Sequence, residues 1–361
     1  AMSAYSEIYN KMARMSGVCP MVALVLGPCI GGAALISQIA DVTIMAEKVG
    51  QLMVFGPQVM AAMNGLQVNA EEVGGAKVAA SMGACALVAA DEDEALLKAR
   101  QVLDLLPASN LEDSDIVDTD DMSRLLPEID ANDTDALLTA LFDGGNKLEL
   151  YAEYEPSVRV ALGRMGGRTV GVVAACGKLK AGALTKAARF VRFMDCFNIP
   201  VVSLLNTAGV EVESIQQQGW LFKAQAQLLY SYAEATTAKV TVVVGDAIGQ
   251  AYVAMGGKAN ADVTYAWPGA VISALTPEAA VAVLYRNEVK ADTELSVEDA
   301  RSKYAAQYVD EVAGALCAAK AGMIDDVIQP ANTRAMIISA LEMLASKRES
   351  NPPKKHGNLP M

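Results

Sequence analysis

Twice in this chain a short apolar run ends in a glycine turn that opens a helical pattern. Residues 22–34 read VALVLGPCIGGAA, and residues 239–252 read KVTVVVGDAIGQAY. The context repeats too: the first turn leads to ADVTIM and then FGP at 55–57, the second to ADVTYA and then LTP at 275–277. A lone Gly-Gly is explained by a helix packing closely on a strand. Recurrence in one fixed order of strand, turn, helix, Ala-Asp-Val-Thr strand and helix-starting proline makes each half a copy of one unit. The length agrees, since 361 residues exceed the roughly 100–200 of a usual single domain.

Between the copies, residues 104–135 turn acidic and lose their aliphatic period, which reads as a solvated connection with no site of its own. The halves are therefore 1–125 and 126–361. Further strands are expected at TVGVVAA (169–175) and PVVSLLN (200–206), with an amphipathic helix, KAARFVRFMDCF, at 186–197 between them. Strand and helix alternating over this length means an α/β fold of βαβ units. Apolar residues make up 53% of the chain and aromatics 5%, so the core is built from Ala, Val, Leu, Ile and Met. No charge occurs between Arg14 and Asp41, but Pro20, Gly27, Pro28, Gly31 and Gly32 interrupt that run well short of the about 20 apolar residues of a spanning helix.

Several function classes lose their usual signatures. A net charge of −13 repels nucleic acid and anionic membrane surfaces. Cys19, Cys29, Cys85, Cys176, Cys196 and Cys317 are scattered singly, with no histidine nearby, which argues against a zinc ribbon and for buried, reduced thiols in a cytoplasmic protein. The single histidine, His356, lies in the terminal PPKKHGNLPM and gives no support to a serine or cysteine triad. There is no phosphate-binding G-x-x-x-x-G-K-[ST] loop and no G-x-G-x-x-G after a strand.

The glycine turns themselves offer chemistry. Where a buried strand gives way to a helix, successive backbone N–H groups lack intrahelical partners and point to one place. Glycine removes the Cβ that would hold a ligand oxygen away. Donors so placed stabilise a developing oxyanion, and losing one from such a hole costs about 2.7–4 kcal/mol. Two turns suggest two oxyanions, as when an enolate and a second anion form and are quenched against each other.

The segments GPCIGGAA, MVFGPQVM, EEVGGAKVAASMGACALVAADEDEAL, KAARFVRFMDCFNIPVV, AQLLYSYAEAT, KVTVVVGDAIGQAYVAMG, ADVTYAWPGA and PPKKHGNLPM occur in that order. Together they resemble the carboxyltransferase (β) subunit of biotin-dependent acyl-CoA carboxylases and the related acyl-CoA decarboxylase subunits, over nearly the whole chain. The resemblance implies tandem crotonase-like domains of ββα spiral type, the first one incomplete, on the acyl-CoA side, and the second on the biotin side. It implies transfer of a carboxyl group between carboxybiotin on a carrier protein and a short acyl-CoA such as propionyl-CoA, through an enolate. Carried over, the N–H groups of Gly31 and Gly32 would hold the thioester enolate oxygen and those of Gln250 and Ala251 the biotin ureido oxygen. Ala181, Gly182 and Gly249 would line the biotin side, and Val253 would shape acyl preference.

The implied partners are further copies of the chain in a dimer-based oligomer, a hexamer, with each site between the first half of one protomer and the second half of its partner. A biotin carboxyl carrier protein, a biotin carboxylase subunit and a polypeptide supplying the missing N-terminal segment complete the set, with any membrane met only through a partner. The family's second turn usually reads Gly-Gly-Ala where this chain has Gly249, Gln250 and Ala251, and its Asp-Val-Pro-Gly-Phe loop is replaced by Asn206, Thr207, Ala208, Gly209 and Val210. Two other readings stay open: a CoA-ester decarboxylase subunit of a sodium-pumping complex, and a non-catalytic scaffold that binds a biotin carrier. Lys178, Lys180, Lys186, Arg189 and Arg192 could face CoA phosphates or the carrier, although a solvated face or interface pairing is the commoner use of such a cluster. Asp41 and Asp262 read as turn caps, Met53–Met63 as core and dimer contact, and Gly322 as a packing glycine.

Overall fold

The computed structural model describes residues 2–360 apart from 118, 119, 213, 216 and 293. The first half carries five strands: β1 Val22–Val25, β2 Pro28–Ile30, β3 Val42–Ala46, β4 Gln51–Met53 and β5 Leu87–Ala89. They form a parallel sheet in the order β1-β3-β5 and a separate parallel pair, β2 with β4. The second half adds β6 Lys147–Leu150, β7 Val158–Met165, β8 Arg168–Leu179, β9 Val201–Val210, β10 Lys239–Ile248, β11 Val263–Ala266, β12 Val271–Ser273 and β13 Asp326–Val327. These make one sheet in the order β13-β11-β10-β9-β8-β7-β6, with β12 also pairing with β10. Helices alternate with the strands as the sequence pattern requires, and Pro57 and Pro277 each open one, at the first-turn position where a missing N–H costs nothing.

The duplication holds at the level of single hydrogen bonds. Val22 sits opposite Val42 in β1 and β3, and Val240 opposite Val263 in β10 and β11. The Asp41 carboxylate accepts from the Met21 N–H at 2.8 Å, and the Asp262 carboxylate accepts from the Lys239 N–H at 2.8 Å. Thr43 Oγ1 donates back to the Ser37 carbonyl and Thr264 Oγ1 to the Gly256 carbonyl. An isolated antiparallel bridge joins Gln51 to Gly75 in one half and Val271 to Gly314 in the other. The aspartates thus tie the start of one strand to the start of the next, the capping role expected of them. Where the first copy breaks into β1 and β2 at Leu26–Gly27, the second runs through as β10 with a register shift between Val243 and Ala247.

The two halves share a core. Val42, Ile44, Leu87, Ala95, Ala99 and Val102 of the first half pack in one cluster with β7, β8 and the helix Ala181–Cys196. Alanines on that helix, Ala183, Ala187 and Ala188, are buried and let it lie close to the sheet. The opposite face of the large sheet is covered by the helices Thr134–Leu141 and Thr333–Met343.

Among its described residues, the connection from Leu105 to Asp133 has no helix or strand, but it is not merely solvated. The Val117 N–H donates to the Gly167 carbonyl at 3.0 Å and the Leu126 N–H to the Ala331 carbonyl at 2.8 Å. The fully buried Arg334 donates to the carbonyls of Asp121 (2.6 Å) and Leu141 (3.1 Å) and pairs with the Asp143 carboxylate. That carboxylate in turn accepts from the N–H groups of Gly166 (3.0 Å) and Gly167 (2.8 Å). A buried charge is tolerated only when paired and hydrogen-bonded all round, as this one is. The acidic segment is therefore strapped onto the second half.

Candidate functional site

Each glycine turn lies at the carboxyl end of parallel strands, where open α/β sheets place their ligands. Gly31 has φ 64° and ψ −121°, and Gly249 has φ 65° and ψ −133°, a region in which a side chain is strained. Each turn glycine also bonds across to the neighbouring strand: the Gly31 N–H donates to the Met53 carbonyl at 3.0 Å, the Gly249 N–H to the Ser273 carbonyl at 2.8 Å. The Gly31 N–H is engaged, and among the described residues the N–H groups of Gly32, Ala33 and Ala34 take no bond, as is true of their counterparts Gln250, Ala251 and Tyr252. Leu35 and Val253 are the first residues to donate back, to the carbonyls of Gly31 and Gly249.

The surroundings of the two turns differ. Across the first lies the helix Met2–Met15, none of whose residues is fully buried. The Tyr5 ring occupies the space beside Gly32, its carbons 3.0 Å from where a Cβ would stand, and Tyr9 O–H donates to the Gly32 carbonyl at 2.9 Å. The two rings stack at 6.0 Å between centroids. At the other end of the helix Gly32–Ile39, Arg189 donates to the Ala40 carbonyl at 3.0 Å, the favourable place for a cation. Among the described residues the second turn has no such cover. Gln250 is exposed and Ala251 buried, and both border a small apolar cavity of about 90 Å³ lined by Leu184, Val210, Leu228, Leu229 and Ala254. Val253, one turn of helix on, is 45% exposed.

Ala181 and Gly182 begin the helix that follows β8, with no side-chain cap. The space over Gly182 is taken: the Tyr154 hydroxyl and Glu155 press against it, and the edge of the Tyr154 ring lies 2.8 Å from where a Cβ on Gly83 would stand. Tyr154 is thus wedged between a glycine of each half. Lys186 holds this loop from beneath, donating to the carbonyls of Tyr151 (2.8 Å) and Tyr154 (2.6 Å). Burial is the main cause that lowers its pKa from 10.5 to about 8.

The basic cluster does not act as one patch. Lys186 and Arg189 are committed to carbonyls, Arg192 pairs with Glu234, Lys180 faces Glu211 at 3.8 Å, and Lys178 is exposed. Asn206–Val210, expected to be a loop, continues β9 to its end. Met53 is core, but Val54, Phe55, Val59 and Met63 are exposed, as are Leu275, Val283 and Leu284 at the equivalent place in the second half. Gly322 is not a packing glycine: nothing lies within 4 Å of the position its Cβ would take, and its φ of 69° is what the turn needs. Ala33, Tyr9 and Tyr154 were missed because their roles depend on bonds and contacts that no local motif encodes. Among the described residues no cluster of His, Cys, Asp and Glu could hold a metal, and no helix is long and apolar enough to cross a membrane.

Comparison with known proteins comes to the same place. The model of the carboxyl transferase domain matches residues 1–359. The propionyl-CoA carboxylase beta chain of Saccharopolyspora erythraea is 36% identical, over all of this chain and 71% of the relative. The methylmalonyl-CoA decarboxylase subunit alpha of Veillonella parvula is 35% identical, over all of this chain and 72% of the relative. Among solved structures, the transcarboxylase 12S hexamer with methylmalonyl-coenzyme A and methylmalonic acid bound matches with a TM-score of 0.92 at 37% identity, covering all of this chain and 72% of that one.

Proposed function

The chain belongs to the carboxyl transferase family, with the crotonase-like fold of that family, and from that membership we propose that it moves a carboxyl group to or from a short acyl-CoA by way of two backbone anion holes. The observation that carries this reading is the pair of equivalent turns, in each of which the glycine N–H is spent on the neighbouring strand while the N–H groups that open the helix take no bond among the described residues. Gly32 and Ala33 would receive the thioester oxygen as the α-carbon loses its proton. Negative charge then grows on an oxygen already facing fixed donors, which need no reorganisation. The missing Cβ at Gly32 makes room for the Tyr5 ring, which closes that flank of the turn.

Gln250 and Ala251 would hold the ureido oxygen of biotin, and the apolar walls of Leu184, Val210 and Leu228 suit a ring with one polar edge. Biotin, brought by a carrier protein, supplies the carboxyl group and the base. The residues present fit that group, with one difference: Tyr154 and Glu155, not an open surface, meet a ligand approaching Gly182. Carboxylation and decarboxylation use the same parts in opposite directions, and the equal similarity to a carboxylase chain and to a decarboxylase subunit supports both.

The apolar faces beside the turns, Val54, Phe55 and Met63 in one half and Leu275, Val283 and Leu284 in the other, support association in which the first half of one protomer meets the second half of its partner. The test is to incubate the purified protein with methylmalonyl-CoA or malonyl-CoA and free biotin and to follow loss of carbon dioxide by mass. Biotin-dependent loss is expected. None, from a folded oligomer, would sink the catalytic reading in favour of a scaffold that only docks the carrier; a monomer would sink the shared site.

A further inference from the structure

We propose that Tyr9 is a positioning residue for the first anion hole, acting through the peptide that joins Gly32 to Ala33. This rests on the reading that the Ala33 N–H is one of the hole's donors.

Carbonyl and N–H of one peptide are fixed in a plane and point opposite ways. The Gly32 carbonyl that accepts from Tyr9 O–H at 2.9 Å belongs to the peptide whose N–H is that of Ala33. The phenol therefore fixes the direction in which that N–H points. It also polarises it, because a donor on the carbonyl oxygen draws charge through the amide and strengthens the N–H by about 10–30%.

Four observations give the contact weight. Tyr9 is half-buried at the turn, one of three partly buried residues (with Tyr5 and Met12) on a helix that has none fully buried. Tyr5 stacks on Tyr9 and lies against Gly32, fixing the phenol's approach. No side chain among the described residues donates to the Gln250 carbonyl, the equivalent atom of the second turn, so the device is not part of the repeated unit and serves the first turn alone. At the far end of the helix Gly32–Ile39 Arg189 holds the Ala40 carbonyl, so the hole's helix is gripped at both ends by side chains from outside it.

The test compares the full chain with Tyr9→Phe, which keeps the ring and removes only the hydroxyl, and with Tyr5→Phe as a control that leaves the Gly32 bond in place. Labelling glycine carbonyls with ¹³C and alanine nitrogens with ¹⁵N picks out the Ala33 amide among a few Gly-Ala pairs, with Ala183 and Ala315 as internal references. In Tyr9→Phe the Ala33 proton should move upfield while the references stay. In biotin-dependent methylmalonyl-CoA decarboxylation, kcat should fall about three- to tenfold with KM changed by less than about twofold, as for an interaction made in the transition state. An unmoved Ala33 amide overturns the proposal whatever the activity. A moved amide with unchanged kcat overturns the catalytic role. If the parent chain has no activity, the functional reading falls, and the amide readout still decides whether Tyr9 governs the Ala33 N–H.

Discussion

At Gly31 the backbone takes φ 64° and ψ −121°, and at Gly249 it takes 65° and −133°. Both turns spend the glycine N–H on the neighbouring strand, and both are preceded by a strand whose start is tied by an aspartate. Around this shared backbone almost everything else has diverged. The first turn belongs to a five-strand unit and is covered by two tyrosines; the second rises from a strand inside an eight-stranded sheet and opens beside an apolar cavity. What stays constant is the donor geometry, and what varies is what the donors meet, as expected if one framework serves two different oxyanions.

The largest test of that equivalence is to damage both turns in the same way. Gly31→Ala and Gly249→Ala each have room for a methyl, the nearest atom lying 3.8 Å and 3.4 Å away respectively, so the cost is conformational. Strain of about 1–3 kcal/mol should redirect the following N–H groups, and biotin-dependent turnover should fall roughly 100-fold in both. A silent Gly31→Ala beside a crippled Gly249→Ala would break the comparison.

A smaller effect concerns the aspartates. Asp262→Ala loses the Lys239 N–H bond and a 2.9 Å ion pair with the largely buried Lys347, whereas Asp41→Ala loses the Met21 N–H bond and a longer-range attraction to Arg189. Urea unfolding should show losses of roughly 2–4 and 1–2 kcal/mol respectively. The reverse order would mean that the smaller sheet depends more on its tie.

The smallest effect is expected where the turns differ in sequence. Gln250→Gly copies the first turn into the second and should raise turnover with free biotin about two- to fivefold without changing KM for the CoA ester. It should also cost about 0.5–1 kcal/mol of stability, as glycine does within a helix. A fall in turnover would make the Gln250 side chain a contributor to the second hole.

The repeated turns, the strands that feed them and the helix-starting prolines were legible because each depends on neighbours within about ten residues. So was the two-copy organisation, since Ala-Asp-Val-Thr falls at the same step of each copy. The donor register was not. Nothing near Gly31 reveals that its N–H is spent on Met53, because β2 and β4 meet only after the chain has gone out and back. Arg189, read as part of a basic patch, grips a helix 149 positions earlier, and Tyr154 is held between glycines from different halves. Asn206–Val210 read as a loop, yet in the sheet its Thr207 lies opposite Ala247 and its Val210 opposite Leu179.

The strap of the connecting segment also sets an order of events. Arg334, which locks that segment, lies 191 positions beyond the carboxylate it neutralises. On a ribosome the first half, the connection and the strands from β6 to β12 all emerge before it. Until then Asp143 lacks the guanidinium, with the Gly166 and Gly167 amides already in place, and the carbonyls of Asp121 and Leu141 lack this donor. Closing so long a loop is slow and comes late. Docking of the C-terminal helix is therefore the step that seals the connection, and a nascent chain stalled before residue 334 would carry the segment loose and open to proteases.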